Sequence, residues 1–257
     1  MNRIDAVSRR AVLVLGAASA TLAACGKTTS RPASILRVGS TATGAPFSFL
    51  DIKSNKLTGA MIDIAQAVAK QAGLQIEIET TAFAALVPSL TADKIDIVSA
   101  GILRTAEREK VVAFTQPVYA YGGGVMVRGD YARTVADLSA LRGVSVGAQV
   151  GTRFVEQLAK AGVEGGKTYD NLNDAVRDLK SGRIQAVYGD APLLSYRLRA
   201  TPDLPARLVE GFTPPSKEDV CLLVRKGDAA LLSKLNEAIA AIKSTQISAI
   251  LSHWGLS

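Results

Sequence analysis

The sequence predicts an α/β protein with two lobes and a ligand cleft between them. From Ile35 onward, short apolar strands alternate with amphipathic helices, which is typical of a mostly parallel sheet covered by helices. A run of glycines at 122–124 interrupts this alternation, and a second alternating set follows it. Two α/β units joined by two crossings of the chain would leave a cleft, so we predict this architecture.

Composition excludes several function classes. The 257 residues include 30 basic and 23 acidic side chains, which gives a net charge of +7. The basic residues are scattered, without runs or interleaved aromatic residues, so we expect no nucleic-acid partner. The chain has only two cysteines, Cys25 and Cys221, and one histidine, His253. That set is too small for a zinc site or a histidine-dependent triad, so we expect no metal, no cofactor and no catalytic residues.

The N-terminal segment has the pattern of an export signal. A basic start precedes a short apolar run, and the sequence LAACG at 22–26 then resembles a bacterial lipobox, in which the cysteine is lipidated. We expect a signal peptide at 1–24 and a lipidated tether at 25–34 with the lipid on Cys25. This predicts a membrane-anchored lipoprotein in the periplasm or on the outer cell surface. The alternatives are an ordinary signal peptide with a chance cysteine, and either Sec or twin-arginine export.

The first alternating set contains three strands and two helices. They are predicted as a strand at 35–39, a helix at 59–71, a strand at 74–80, a helix at 84–92 and a strand at 95–99. Within the first helix, Met61, Ile64, Ala65 and Val68 fall at helical spacing, which predicts one buried face. Gly73 is expected to end that helix.

Arg108 follows the last of these strands and is the first candidate binding residue. After the strand, the chain turns through Ala100-Gly101 and restarts as a helix. In open α/β sheets, small ligands bind outside the carboxyl ends of the strands, where this turn lies. A guanidinium at that edge is suited to grip a planar carboxylate with two parallel hydrogen bonds. The alternative is a surface ion pair between Arg108 and Glu107 or Glu109.

The second alternating set begins after the sequence YAYGGG at 119–124. Three consecutive glycines are costly inside a well-packed element, so we interpret them as a crossing or hinge between the lobes. The elements predicted after them are a helix at 134–141, a strand at 144–147, a helix at 151–161, a helix ending at Ser181, a strand at 185–188, a strand at 220–224 and a final amphipathic helix. Asn171 and Asp228 are the predicted caps of the last two helices, and Asp137 is expected to complete a capping box.

Seven short motifs occur in one order along the chain. They are LRVGS with PFSF at 36–49, GAMIDIAQAVAKQAG at 59–73, VPSLTADKIDIVSAGI at 87–102, TAEREKVVAFTQPVY at 105–119, VGTRF at 150–154, GRIQAVYGD at 182–190 and HWG from His253. With these motifs in this order, the chain from Ile35 to Leu256 resembles the bacterial extracellular solute-binding proteins of the polar amino-acid family. Those proteins are the soluble components of ABC importers.

The resemblance implies a type II periplasmic-binding-protein-like fold that closes over one ligand. Lobe one is expected at 35–121 and 222–257, and lobe two at 122–221. The implied partners are an amino acid or a similar small carboxylate and the permease subunits of an ABC importer, with membrane contact through the lipid anchor. The binding protein itself is expected to be a monomer.

The resemblance also implies which residues bind the ligand. They are Phe83, Gly101, Leu103, Arg108, Gln149, Gly151, Thr152 and Asp190. Arg108 would hold the α-carboxylate together with the N–H groups at Gly151-Thr152, because free donors at a helix N-terminus favour an anion. Asp190 and the Gly101 carbonyl would accept the α-ammonium, and Phe83 would form an apolar wall.

Several positions depart from the family pattern. Leu103 stands where a serine or threonine is usual, so one donor to the carboxylate is missing. Arg104 replaces an aliphatic residue and either faces solvent or turns into the cleft. Thr41 and Gly44 stand where an acid and an aromatic lid are common, which disfavours cationic ligands because a buried cation needs an acidic partner.

Two other functions fit the same scaffold. One is an enzyme like the cyclohexadienyl dehydratases, which use an acid shortly after the Gly-Thr turn, where this chain has Arg153-Phe154. The other is a ligand-sensing module, which is usually fused to transmembrane and signalling segments. Transport binding is the function that we expect, since no poised pair of acid and base is evident.

Overall fold

Two large β-sheets, one small sheet and the helices that pack on them form the computed structural model, which describes residues 35–256. The strands are β1 Leu36–Ser40, β2 Thr43–Gly44, β3 Ser48–Asp51, β4 Lys56–Thr58, β5 Ile76–Thr80, β6 Ile97–Val98, β7 Val112–Phe114, β8 Tyr119–Arg128, β9 Val146–Gln149, β10 Lys167–Tyr169, β11 Ala186–Asp190, β12 Ala206–Leu208, β13 Lys217–Val220 and β14 Leu223–Arg225. The α-helices are α1 Ala60–Gln71, α2 Leu86–Thr91, α3 Ala106–Glu109, α4 Arg153–Lys160, α5 Leu172–Lys180, α6 Ala191–Ala200, α7 Ala229–Ile242 and α8 Ser248–His253.

A five-stranded sheet forms the centre of the first lobe, in the order β5-β1-β6-β14-β7. β1 pairs in parallel with β5 and β6, as the βαβαβ pattern predicts, whereas β14 runs antiparallel to both of its neighbours. α1 buries the predicted apolar face, with Met61, Ile64, Ala65 and Val68 all at or near zero exposure. This face packs into one cluster with Val38 of β1, so the predicted helix and its buried side are confirmed.

A second sheet forms the centre of the other lobe, in the order β10-β9-β11-β8-β12. β9 pairs in parallel with β10 and β11, while β8 runs antiparallel to β11 and β12. α5 covers one face through Leu172, Val176 and Leu179, and α4 buries Phe154 against Tyr188 of β11. The two-lobed α/β fold that the sequence predicts is therefore present.

β8 is the strand that connects the lobes. Its first part, Tyr119 to Gly122, pairs with β13, and the remainder pairs with β11 and β12 of the second sheet. The three glycines at 122–124 lie buried inside this continuous strand, so the interpretation that they interrupt the strand pattern is wrong. Neighbouring side chains fill the space beside them: a Cβ on Gly123 would lie 2.5 Å from the Tyr188 hydroxyl.

Several predicted helix and strand boundaries differ from those in the structure. The helix predicted at 134–141 is only a 3₁₀ turn at Leu138–Leu141, and Asp137 is its N-cap, accepting the Ser139 N–H at 2.8 Å instead of completing a capping box. The strand predicted at 220–224 is two strands, β13 and β14, because Cys221-Leu222 leaves one pairing partner before joining the next. The strand predicted at 95–99 is paired only over β6, and the strand predicted at 144–147 both begins and ends two residues later, as β9.

The predicted caps at Asn171 and Asp228 are confirmed. Their side chains accept the backbone N–H groups of Asp174 and Leu231, each at 3.1 Å. The sequence reading did not find α6, whose apolar residues lack a clear single-sided period, or the small antiparallel sheet of β2, β3 and β4. After α8, the Trp254 indole donates to the Asp63 carboxylate at 2.8 Å, which ties the end of the chain to α1.

The predicted signal peptide, the tether and Cys25 lie outside the described residues. Between residues 35 and 256, no helix is long and apolar enough to cross a membrane. Over the same range, no three side chains of His, Cys, Asp or Glu lie together in a way that could hold a metal ion.

Candidate ligand-binding cleft

The two lobes face each other across a narrow cleft that the predicted binding residues line. Two small cavities, of about 20 and 10 Å³, lie along it, and each has room for about one water molecule. The predicted residues that line these cavities are Phe83, Gly101, Leu103, Arg108, Gln149, Thr152 and Asp190. Gly151 contacts the same site through its carbonyl oxygen. The structure thus brings together all eight residues that the family resemblance implies.

Arg108 enters the cleft from α3, whose N-cap Thr105 accepts the Arg108 backbone N–H at 3.3 Å. Its guanidinium donates to the Leu103 carbonyl at 2.7 Å and, across the cleft, to the Gly151 carbonyl at 2.9 Å. The Phe83 ring lies beside it, with 6.0 Å between the guanidinium carbon and the ring centroid. Because the guanidinium points inward, the alternative of a surface pair with Glu107 or Glu109 is wrong.

Burial within the cleft shifts the pKa of Arg108 downward from its usual value, while the nearby Tyr121 and Asp190 oppose that shift. An arginine remains charged through such a shift, because its ordinary pKa lies far above physiological pH. Arg108 is therefore a permanent cation in the cleft, with hydrogen-bond donors directed at the opposite lobe. A planar anion of carboxylate size is the natural partner for such a group.

The loop before α4 faces Arg108 from the second lobe. Gly151 has a φ of +75°, and a Cβ there would lie 3.0 Å from the Ala84 Cα, so only glycine fits this turn without strain. Thr152 is the N-cap of α4, but its hydroxyl donates to the Gln149 carbonyl at 2.6 Å and makes no capping bond. The first-turn N–H groups of α4 therefore have no side-chain cap from Thr152, which suits them to an anion.

Gln149 and Asp190 stand at the ends of adjacent strands of the second sheet. The Gln149 amide donates to the Asp170 carbonyl at 3.1 Å, which holds this buried side chain along the cleft wall. Asp190 ends β11 and accepts a hydrogen bond from the Tyr121 hydroxyl. Burial raises the pKa of the Asp190 carboxyl to about 6, although that hydrogen bond and Arg108 act in the opposite direction.

Tyr121 is a cleft residue that sequence reasoning missed. It lies on β8 with only 5% of its surface exposed, and its ring stacks on Phe47 at a centroid distance of 5.3 Å. Its hydroxyl also lies 3.2 Å from the Gly101 carbonyl oxygen. The sequence YAY contained a signal, because Tyr119 and Tyr121 point to the same side when the segment is a strand. The interpretation of the segment as a crossing or hinge did not reveal it.

Arg104 does not turn into the cleft, and its side chain is partly exposed. Its guanidinium donates to the Thr115 carbonyl at 2.5 Å and contacts the Cys221 sulfur at 3.5 Å. It also lies over the Phe114 ring, 5.6 Å from the centroid. These contacts place Arg104 between β7 and Cys221, which lies between β13 and β14. Arg104 therefore does not replace the side-chain donor that is missing at Leu103.

Arg153, at the start of α4, contacts β13 and the residue just before it. It forms an ion pair with Glu218 of β13 and donates to the Ser216 hydroxyl at 3.1 Å. Both charged side chains are largely buried, with 20% and 12% of their surfaces exposed. The position after the Gly-Thr turn therefore carries a cation engaged by Glu218 of β13 and by Ser216.

Comparison with known proteins agrees with this architecture. Residues 36–257 match the bacterial extracellular solute-binding proteins, family 3. ABC transporter arginine-binding protein 1 of Escherichia coli is 36% identical over 213 residues, which cover 81% of this chain and 85% of that protein. An ancestral arginine-binding protein bound to glutamine superimposes with a TM-score of 0.81 and 34% identity, covering 87% of this chain and 98% of that one. An ancestral amino acid-binding protein described as a precursor of cyclohexadienyl dehydratase has a TM-score of 0.75 and 32% identity, with 86% and 94% covered.

A match that spans nearly all of the described residues, together with two lobes facing one cleft, identifies the family. The chain belongs to the bacterial extracellular solute-binding proteins, family 3.

Proposed function

We propose that this protein captures an amino acid or a similar small carboxylate in the cleft and delivers it to the permease of an ABC importer. The observation that carries the proposal is the Arg108 guanidinium, which lies in the cleft opposite the N-terminus of α4. In this arrangement, a ligand carboxylate replaces the Gly151 carbonyl as the acceptor of one guanidinium N–H. It also receives N–H donors from the first turn of α4.

The remaining cleft residues position and enclose the ligand in this proposal. Phe83 provides the apolar wall beside Arg108, while Gln149 and Thr152 define the wall of the second lobe. Leu103 contributes its backbone carbonyl to orient Arg108 instead of a side-chain donor. Asp190 and Gly101 present acceptors at the other end of the cleft.

Closure of two lobes is the proposed capture mechanism. We assign 35–121 and 222–257 to lobe one and 122–221 to lobe two, so that Arg108 and Asp190 come from different lobes. The chain passes between them at the start of β8 and near the end of β13, which pair with each other. Hinges formed by a few residues in such crossing strands are typical of closure around a ligand.

A neutral or anionic ligand fits the cleft better than a cationic one. Although several relatives are named for arginine, Thr41 here is buried and its hydroxyl pairs with that of Ser48 at 2.8 Å. A buried cationic side chain would need an acid, and neither Thr41 nor Gly44 provides one. The ancestral protein bound to glutamine shows that a related cleft accepts a neutral side chain.

Binding without turnover is the activity that we propose. The residues after the Gly-Thr turn support this, because Arg153 is a cation engaged by Glu218 and Ser216 and not an acid directed at the ligand. Incubation of the mature domain with prephenate or arogenate should therefore give no product. Location outside the cytoplasmic membrane follows from the family, and we propose that a lipid on Cys25 anchors a monomeric protein there.

Replacement of Arg108 tests the proposed function. Truncation of one member of a desolvated charge pair commonly costs about 2–5 kcal/mol, or roughly 30- to several-thousand-fold in affinity. Arg108→Ala should weaken binding by that order in calorimetric titrations with the tightest ligand from a screen of amino acids and small carboxylates. Arg104→Ala is the control, since Arg104 contacts Thr115 and Cys221 and should leave affinity unchanged. Full affinity in Arg108→Ala would contradict the proposal.

A further inference from the structure

A pocket of about 250 Å³ lies between the two lobes, beside the ligand cleft. Residues between 42 and 50 form its wall in the first lobe, and residues of α5 and α6 form its wall in the second. The Asn173 amide donates to the Thr43 carbonyl at 3.4 Å and so joins the two walls. The pocket has room for a chain of several carbon atoms, whereas each cleft cavity holds about one water molecule.

Shared lining residues connect this pocket to the cleft. The cavity at Arg108 and the cavity next to it have three of them in common, Phe83, Gly101 and Asp190. That second cavity, the middle cavity, shares Thr43 and Leu193 with the pocket. The three spaces therefore lie in a row, with Arg108 at one end and the pocket at the other.

Gly44 leaves the passage from the middle cavity to the pocket open. It lines the middle cavity and contributes no side chain to it. A Cβ at this position would lie 3.9 Å from the Leu193 side chain, so a larger residue would narrow the passage. A ligand whose α-carboxylate lies at Arg108 can therefore extend its side chain past Gly44 and Leu193.

α6 runs along this row of spaces. Its N-cap Asp190 lines both cleft cavities, Leu193 follows about one turn later, and Arg197 lines the pocket about one turn after that. Seven positions separate Asp190 from Arg197, which corresponds to about 10 Å along the helix axis. The Cα–Cβ bond of a helical residue tilts toward the helix N-terminus, so that of Arg197 tilts back toward the cleft.

Arg197 is the one charged residue among the described residues that line the pocket. Most of the other lining residues are apolar, and Arg197 itself is half-buried. Within residues 35–256, no acidic side chain forms an ion pair with it, whereas Arg183 of the same lobe pairs with Asp178 at 3.0 Å. A guanidinium in such a place suits a planar anion supplied by a ligand.

We propose that this pocket is the side-chain subsite of the ligand cleft, and that it takes an amino acid whose extended apolar chain ends in a second carboxylate. The inference rests on the proposed function, in which Arg108 holds the α-carboxylate. Arg197 binds the distal carboxylate, and Leu193 and Val176 line the methylene chain between the two ends. An amino acid with a short side chain leaves the pocket empty, and one with an apolar end leaves Arg197 without an anion.

The spacing along α6 sets the length of the ligand. Three bonds of an extended chain span about 3.5 Å, so a carboxylate six bonds from the α-carbon lies about 7 Å from it. L-2-aminosuberate has a carboxylate at that distance. The Arg197 side chain, which starts about 10 Å along the helix from Asp190, covers the remainder.

Three amino acids that differ only in their side chains test the proposal. L-2-aminosuberate has the long chain and the distal carboxylate, L-2-aminooctanoate has the same number of carbon atoms but a methyl end, and L-glutamate has a distal carboxylate on a short chain. Calorimetric titration of the mature protein should show L-2-aminosuberate binding at least tenfold more tightly than either of the others, because it alone fills the pocket and pairs with Arg197.

Variants of α6 separate the charge of Arg197 from other effects. Arg197→Gln should lower the affinity for L-2-aminosuberate by tenfold or more and leave that for L-2-aminooctanoate unchanged. Arg199→Gln is the matched control, because Arg199 lies exposed on the same helix, outside the pocket lining, and its replacement should leave all three affinities unchanged.

Thr43→Trp tests the passage itself. Thr43 is exposed and lines both the middle cavity and the pocket, so a large ring there obstructs the passage without entering the core. The Thr43 carbonyl that accepts from Asn173 is retained. The affinities for the two long probes should fall at least tenfold more than the affinity for L-glutamate. Circular dichroism melting confirms that each variant is folded before titration.

The outcomes distinguish this inference from the proposed function. Wild-type protein that binds L-glutamate or L-2-aminooctanoate as tightly as L-2-aminosuberate, or binds none of the three, overturns the subsite. Equal losses for L-2-aminosuberate in Arg197→Gln and Arg199→Gln also overturn it, since they would show a general effect of charge. Arg108→Ala should lose affinity for every probe that the wild type binds; if it does not, the proposed function fails whatever the preference at Arg197.

Discussion

Replacement of Gly123 by alanine tests the close contact between the connecting strand and the core of the second lobe. An added Cβ would lie 2.5, 2.6 and 2.7 Å from three atoms of the Tyr188 side chain, about 0.9 Å short of ordinary 3.4 Å contact at the nearest atom. Tyr188 is completely buried, and its hydroxyl is bonded to the Gln157 side chain at 2.6 Å. Its ring also packs edge-on against Phe154 at 5.1 Å, so it has little freedom to move.

The expected loss of stability follows from this contact. Overpacking of a well-filled core by one methyl group typically costs about 1–3 kcal/mol. For a domain of this size, each kcal/mol lowers the melting temperature by about 2–4 °C, so Gly123→Ala should melt about 2–12 °C below the wild type. Calorimetric melting and urea unfolding of the mature protein both measure this change.

Gly227→Ala is the matched control for that experiment. A Cβ on Gly227 meets no atom within 4 Å, and its backbone lies outside the left-handed region, so stability should change by less than about 0.5 kcal/mol. Equal melting temperatures for Gly123→Ala and the wild type would refute the argument. They would mean that Tyr188 does not rest against β8 as described.

Two further predictions concern the anchor and the buried acid. Cys25→Ser should move the protein from the membrane fraction to the soluble fraction without changing ligand affinity, and unchanged membrane association would exclude the lipid anchor. Burial raises the pKa of Asp190 to about 6, above the value near 3.9 in unfolded chains, so its contribution to stability is complete below about pH 4 and is lost as the pH rises through 6. Asp190→Asn should remove this part of the pH dependence, on the order of 2 kcal/mol, in urea unfolding between pH 4 and 7; parallel curves for the two proteins would contradict it.

Local sequence signals were sufficient for the elements that bury one clear face or carry a cap. α1 has four apolar residues at helical spacing, and Asn171 and Asp228 cap their helices as predicted. The signals failed where tertiary packing decides the structure. The glycines at 122–124 have poor strand propensity, yet they lie inside β8. Larger side chains at 122 and 123 would collide with Pro214 and Tyr188, so the packing there requires glycine.

The same distinction between local sequence signals and tertiary contacts applies to the candidate site. The family motifs placed Arg108, Asp190 and the Gly151-Thr152 turn, and the structure brings them to one cleft. The motifs did not reveal where Arg104 points, because its partners Thr115 and Cys221 come from distant parts of the sequence. Nor did they reveal Tyr121, whose role depends on contacts with residues 20 and 69 positions away.

The place of β14 in the first sheet limits the order in which the lobes can fold. All five strands along the path of the second sheet lie between Tyr119 and Leu208, so a continuous stretch of chain can complete that sheet. The first sheet, in contrast, needs β14 between β6 and β7, and within residues 35–256 β7 pairs with β14 alone. Pairings between segments far apart in sequence form slowly, because the intervening loop must close first. During synthesis from the N-terminus, the first lobe would therefore stay incomplete until almost the last residues have been made, whereas the second lobe could fold before it.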